Sequence, residues 1–417
     1  MITVIGDLIL DVFEYGESSR MSPEAPVPII TPIKTVYAPG GAANVAQNIH
    51  DLNCNVNLIG IVGADENSYH LENVSKNIYV SYIKDLENPT ITKKRIIANN
   101  QQIARIDVEG KFNPLTISDY VGEGTQYVVI SDYNKGTIGD CSEEFLKLRK
   151  RNIRVLVDPK KELHNYRGAW LVKPNKVEFE TYVGKFKDRT ELIGKAVNAC
   201  RTFDIQYMLI TLGSEGMTLI SKQGVEAKVE TDVTEVYDIT GAGDSAMAGL
   251  VYGLVNNNDL IESVHIANKV AQVAVSHPGT YSVKEKDIKP RTVFTNGCFD
   301  VLHLGHLKLL KFAKKQGDKL IVAINSDASV KRLKGDGRPK FSQEDRKSML
   351  ESLEVVDEVI IFDEDTPYNL IKSVRPDVIV KGGDYTVETT VGNDLAEVII
   401  FPRIKDYSTT KILEGTL

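Results

Sequence analysis

Short β-branched runs alternate with helix-length stretches along nearly the whole chain, and few architectures accommodate that pattern. Strands that alternate with helices are expected to pair in parallel, with helices covering both faces of the sheet. The clearest strands are Thr3–Ile5, Val56–Val62, Tyr127–Ser131, Val155–Asp158 and Tyr207–Thr211, and Ile239–Val255 and Leu260–Ser276 carry apolar residues at helical spacing. Ser22–Ile33 holds four prolines and reads as an extended loop or edge segment; with Ile83, Ile91 and Ile96–Ile97 it is expected to form a small β-lid. Around Val283–Arg291 the sequence turns charged, passes Lys289-Pro290 and starts a new strand at Thr292-Val293-Phe294. The alternation then repeats, with strands at 292–296, 319–325, 358–362 and 377–381 and helices at 304–316, 343–353 and 366–374. A length of 417 residues exceeds what one ordinary core supports, so two α/β domains are expected, 1–285 and 291–417.

A formal net charge of −7 argues against general nucleic-acid binding, which favours basic surfaces. No apolar run approaches the roughly 18 residues of a membrane span. Met1-Ile2-Thr3-Val4-Ile5-Gly6-Asp7 reads as a strand and not as a signal peptide. The four cysteines, Cys54, Cys141, Cys200 and Cys298, show no C-x-x-C pair, so neither a disulfide framework nor a zinc site is expected. A cytoplasmic location is the expectation.

Two segments carry chemistry in the first half. Pro39-Gly40-Gly41-Ala42-Ala43-Asn44 opens a helix with paired glycines, which let the backbone approach a hydroxyl-rich or anionic ligand. Thr240-Gly241-Ala242-Gly243-Asp244 places another glycine turn at a helix start, where N–H groups can stabilise charge developing on a phosphoryl group. Asp244 can accept a proton from an attacking sugar hydroxyl, or simply cap the helix. Asn175-Lys176-Val177-Glu178 offers an Asn and a Glu on one helix face, a pair suited to holding water and Mg²⁺ near ATP phosphates. Asp11, five residues after Gly6, can bind hydroxyls of a polyol.

In this order these features resemble the ribokinase/PfkB family of sugar kinases over residues 1 to about 285. The resemblance implies a ribokinase-like three-layer domain with a β-lid, Asp244 as catalytic base and Gly241-Ala242-Gly243 as anion hole. It also implies Mg²⁺-ATP binding by Asn175, Lys176, Val177 and Glu178, with Glu178 reaching Mg²⁺ through water, and sugar contacts from Asp11, Gly41 and Asn44. Ser19–Pro28, Asn100-Gln101-Gln102, Ser131–Gly136, Asp158-Pro159-Lys160 and Glu235–Asp238 look more specifically like the kinase half of the HldE-type bifunctional heptose enzymes. By that resemblance the substrate is D-glycero-D-manno-heptose 7-phosphate, phosphorylated at the anomeric hydroxyl. A sugar phosphate needs a cation, and Arg105 and Lys135 are the candidates, each weighed against an ordinary surface ion pair.

In the second half His303 and His306 flank Gly305, between a strand and Leu307-Lys308-Leu309-Leu310. Imidazoles three apart at a helix start can both donate to phosphate oxygens in a transition state, and no Cys or carboxylate lies at zinc-site spacing. Residues 292–417 resemble the Rossmann-like cytidylyltransferase-type nucleotidyltransferases. By position Lys331 and Lys334 are candidates to bind phosphates of ATP or of the sugar, and the Ser408 and Thr409 hydroxyls can reach the β,γ-phosphates, which is compatible with helix capping by Ser408. Val380–Tyr385 is the setting for base and ribose.

The whole resemblance implies two ATP- and Mg²⁺-dependent steps toward an ADP-heptose for lipopolysaccharide or another surface glycan. A separate heptose bisphosphate phosphatase would act between them. Neither nucleic acid nor membrane is an expected partner, and a homodimer through the kinase domain is one candidate assembly. Competing readings keep the chemistry but use another sugar phosphate or CTP, or make one half a catalytically dead sensor.

Overall fold

A computed structural model describes residues 1–231, 236–277, 281–383 and 385–402, and it divides into two compact units, Met1–Ile288 and Lys289–Leu417. The first unit begins with β1 (Ile2–Gly6), β2 (Leu8–Met21), β3 (Pro28–Gly41), β4 (Val56–Gly63), β5 (Tyr79–Asp85), β6 (Thr92–Ala98) and β7 (Gln101–Val108). It continues with β8 (Tyr127–Ser131), β9 (Arg154–Asp158), β10 (Leu171–Val172), β11 (Tyr207–Thr211), β12 (Met217–Ser221) and β13 (Val225–Val229). Nine of these strands form one sheet in the order β13-β12-β11-β10-β9-β8-β1-β4-β5, parallel from β11 to β5 and closed by antiparallel β12 and β13.

Successive side chains of a strand point to opposite faces, and here both faces are buried. Val4, Val129, Leu156 and Leu209 enter one core, against the helices Ala42–Asp51, Ala242–Val255 and Leu260–Val275. Their neighbours Ile5, Val128, Ile130, Val155, Val157, Met208 and Ile210 enter the other, against Ser142–Lys150 and Arg189–Thr202. The result is three layers with two apolar cores.

The lid is a separate four-stranded sheet, β3-β2-β6-β7, in which the proline-rich segment enters the edge strand β3 at Pro28. Ile83, expected in the lid, instead pairs with Ile61 on the edge strand β5 of the main sheet. Ile91 lies just before β6, and Ile96–Ile97 lie within it.

The second unit contains β14 (Thr292–Gly297), β15 (Lys319–Asn325), β16 (Glu358–Phe362), β17 (Val378–Gly382) and β18 (Glu397–Phe401). They form one all-parallel sheet, β16-β15-β14-β17-β18. Strand order reverses between β14 and β17, and ligands of such sheets bind at the carboxyl ends of the strands on either side of that point. The helix Asp327–Lys334 was not expected as an element; Ser326 caps it by accepting from Ser329 N at 3.0 Å.

Candidate active sites

The first site is assembled at the carboxyl ends of β1, β8, β9 and β10. Asp7, fully buried after β1, accepts backbone N–H bonds from Tyr133 (2.8 Å), Lys135 (3.0 Å) and Thr137 (3.1 Å), which fixes the turn after β8. Gly41 takes φ +57° at the start of the Ala42–Asp51 helix, and a Cβ there would lie 2.4 Å from Asp7 O. That turn delivers Asn44 to the site.

Gly241, at φ +78°, starts the Ala242–Val255 helix and places Asp244 in its first turn, 5% exposed. Asn44 Nδ2 donates to Asp244 Oδ2 at 2.7 Å, and the Tyr133 hydroxyl donates to Oδ1 at 3.0 Å. Burial pushes the Asp244 carboxyl up to about 6, and Asp158 adds to the rise, while Asn44, Tyr133 and Lys173 oppose it. Asp158 is also raised by burial and is paired with the buried Lys173 at 3.1 Å. A carboxylate so placed is a competent general base near neutral pH.

Beside it lies a cavity of about 700 Å³. Gly241-Ala242-Gly243, Lys173, Asn175, Lys176, Val177 and Glu178 are among its lining, as are the apolar Leu212, Met217, Val236, Ile239, Ala271 and Val275. A mostly apolar lining with a few charged and polar groups suits a nucleotide. Asn175 and Glu178 first serve their helix. Asn175 Oδ1 accepts from Glu178 N (2.9 Å), and Glu178 Oε2 accepts from Asn175 N (3.0 Å), a reciprocal capping box. Glu178 also pairs with Lys160 at 3.1 Å.

Asp11, 6% exposed on β2, is ion-paired with Arg95 of β6, and a Cβ on Gly40 would lie 2.3 Å from its Oδ2. The two cations singled out in the sequence already have carboxylate partners: Arg105 binds Asp107 through two bonds of 2.9 Å, and Lys135 pairs with Glu109. Lys93 was not among the expected cations. Lys93 lies opposite Asp11 in register, with its ammonium 5.3 Å from the Tyr133 ring centroid. The period-two spacing in Thr92-Lys93-Lys94-Arg95 was the available signal.

In the second unit His303 is the N-cap of the helix Leu304–Lys314, and His306 follows in its first turn. The imidazoles stack, with centroids 3.8 Å apart and planes at 18°, and the Phe299 ring stands 4.9 Å from His306. Burial pushes His306 down to about 4, with His303 and Lys334 adding to the fall, and burial lowers His303 as well. Both shifts favour the neutral imidazole, which keeps one N–H to donate. Lys331 and Lys334 are exposed on the helix Asp327–Lys334.

Two further residues organise this loop. Asp300, 1% exposed, accepts from the backbone of Lys340 (2.5 Å) and Phe341 (3.2 Å) and pairs with Arg338 (2.8 Å). Arg346, fully buried, donates to Cys298 O (2.7 Å), Phe341 O (3.1 Å) and Asp327 Oδ1 (2.8 Å). Lys381, 7% exposed at the end of β17, donates to Asn296 O at 3.2 Å, and burial pushes it down to about 8. Ser408 and Thr409 lie outside the described residues. Among the described residues no helix is long and apolar enough to cross a membrane.

Residues 1–287 match the pfkB family carbohydrate kinases, and residues 294–414 match the cytidylyltransferase-like family. Over 99% of its length the chain is 39% identical to the bifunctional protein HldE of Pseudomonas syringae pv. tomato, covering 96% of that protein. It is also 39% identical to the bifunctional protein HldE of Nitratiruptor sp., over 99% of this chain and 98% of that one. Among solved structures, Arabidopsis thaliana ribokinase complexed with ribose and ATP superposes with a TM-score of 0.57 at 18% identity, over 69% of this chain and 96% of that one. Escherichia coli phosphofructokinase-2 in complex with substrates and products gives 0.58 at 19% identity, over 69% and 97%. Both likenesses are of fold.

Proposed function

The chain belongs to the bifunctional HldE family, with a pfkB-type kinase unit and a cytidylyltransferase-like unit, and on that premise we propose that it carries out two successive steps of heptose activation. In the first, the anomeric hydroxyl of D-glycero-D-manno-heptose 7-phosphate attacks the γ-phosphorus of ATP, Asp244 takes the hydroxyl proton, and ADP leaves. The carrying observation is the Asp244 carboxylate, oriented by Asn44 and Tyr133 beside the Gly241–Gly243 turn. The turn's N–H groups receive the charge of the transferring phosphoryl group. Asp11 binds sugar hydroxyls, and Lys93, opposite it in register, supplies a cation on that side of the lid for the phosphate the sugar already bears.

In the second step a phosphate oxygen of heptose 1-phosphate attacks the α-phosphorus of ATP, and pyrophosphate leaves. His303 and His306 donate to phosphate oxygens as charge builds, with Lys331 and Lys334 near the leaving group. Mg²⁺ in such sites is usually held by one or two carboxylates together with the substrate's phosphates and several waters. Glu178, the acidic residue of the capping box on the cavity wall, fits that limited demand. The bound ion would neutralise phosphate charge there, while Glu178 holds its water.

The product of the first step carries two phosphates and the substrate of the second carries one, so a separate phosphatase acts between them. Mass spectrometry after incubation with ATP and the heptose phosphates tests the assignment. A mass gain of one phosphoryl group on the 7-phosphate, and an ADP-sugar from the 1-phosphate with ATP but not CTP, are the expected results. Absence of both products from folded protein overturns it.

A further inference from the structure

Tyr133 is tied to three parts of the first unit at once. Its backbone is locked by Asp7, which accepts from Tyr133 N at 2.8 Å and from Lys135 N at 3.0 Å. Its hydroxyl donates to Asp244 Oδ1 at 3.0 Å, while Asn44 holds the other carboxylate oxygen. Its ring lies under the Lys93 ammonium of lid strand β6, 5.3 Å from the centroid. An aspartate side chain has a broad, soft terminal torsion, so a carboxylate held by one donor swings. Donors on both oxygens fix its plane. Asn44 comes from the Ala42–Asp51 helix and Tyr133 from the turn after β8, so the two constraints are independent.

We infer that Tyr133 is a positioning residue for the kinase step: its hydroxyl, preset by the Asp7-anchored turn, orients the Asp244 carboxylate toward the attacking hydroxyl. The inference rests on Asp244 being the base, as proposed above. A donor to a carboxylate also favours its ionised form, so the same bond holds Asp244 ionised at lower pH than burial alone would allow. Asp244 is faced by Asp158 of β9, Lys173 after β10 and Asn44 of the Ala42–Asp51 helix; Tyr133 is faced by Lys93 of β6 and by Asp11 of β2. None of these is removed by a change at the Tyr133 hydroxyl.

The test is Tyr133→Phe in the full chain, which keeps the ring and its packing and deletes one oxygen. The kinase kcat is expected to fall about tenfold, with KM for ATP little changed. The acid limb of the kinase pH profile is expected to move up by about one pH unit, the scale of one hydrogen bond to a charged group. Replacing Tyr133 with a fluorinated tyrosine, a stronger donor, should move that limb the opposite way, and it keeps the inference testable if the phenylalanine variant folds poorly. A limb that stays at the wild-type pH in both proteins overturns the inference. The Asp244 carboxyl can also be titrated by ¹³C NMR without any sugar present. A wild-type protein inactive on heptose phosphates would therefore sink the proposed substrate, while an unmoved Asp244 titration would sink the role of Tyr133.

Discussion

Asp244 is costly where it sits, and that cost makes its role testable apart from stability. Its folded-state value of about 6 exceeds the usual 3.8, so between those values the folded chain holds more protons than the unfolded one. Stability from this group therefore falls as pH rises from about 4 to 6, and above that the fold carries a buried charge. Asp244→Asn should abolish sugar phosphorylation, by on the order of 10²–10⁴-fold or more, yet melt no lower than wild type at pH 7.5. Turnover and thermal unfolding on one sample check this; an inactive protein that also melts far lower would indicate a structural aspartate. Lys381 in the second unit makes a parallel case. Its value of about 8 lies below 10.5, so near neutral pH the folded chain buries an ammonium, and stability rises as pH climbs from 8 toward 10.5. Lys381→Met should raise the melting temperature of the second unit at pH 7, and a lower one would show that the lysine's bond to Asn296 O outweighs its burial cost.

Single elements show where sequence reasoning reaches and where it stops. The interior strands were legible because a strand buried on both faces must be apolar throughout, as in Val128-Val129-Ile130. Asp244, the glycine turns and the two histidines stood out because each lies in a short motif at a helix start, although Asp and Gly there also have ordinary capping uses. Ile83 was misplaced because β-propensity says a residue is in a strand but not which sheet it joins. Lys93 was passed over because its place opposite Asp11 is a register fixed by strand topology and not by local sequence. Asn175-Lys176-Val177-Glu178 carries two meanings, a capping box and an ATP wall, and only substitution separates them. Glu178→Gln keeps an acceptor for the Asn175 N–H, so it should hold stability and raise KM for Mg²⁺-ATP. Glu178→Ala should also lose about 1 kcal/mol of stability. Equal effects of the two on KM and on melting would mean that the helix start alone matters. His306→Ala should lower adenylyl transfer by roughly 10²–10³-fold, the scale of one preorganised donor, and leave kinase turnover unchanged.

At the scale of the whole molecule, two units with separate cores carry chemistries whose ligands do not match end to end. If the kinase unit phosphorylates C1, the phosphate on C7 remains, and the product bears two groups of roughly −1.5 to −2 charge each near neutral pH. The transferase unit takes a sugar whose single phosphate, at C1, is the nucleophile. A second phosphate desolvated without a cationic partner is strongly disfavoured. The two matched families are a carbohydrate kinase and a nucleotidyltransferase, and neither chemistry removes the C7 phosphate. Given heptose 7-phosphate and excess ATP, the purified protein should therefore stop at the 1,7-bisphosphate. Adding a C7-specific phosphatase should release the block, and ADP-heptose and pyrophosphate should then appear together. Mass spectrometry of the time course distinguishes the outcomes. ADP-heptose formed rapidly by this chain alone, or a nucleotide sugar that still carries the C7 phosphate, would show that the second unit accepts what the first one makes.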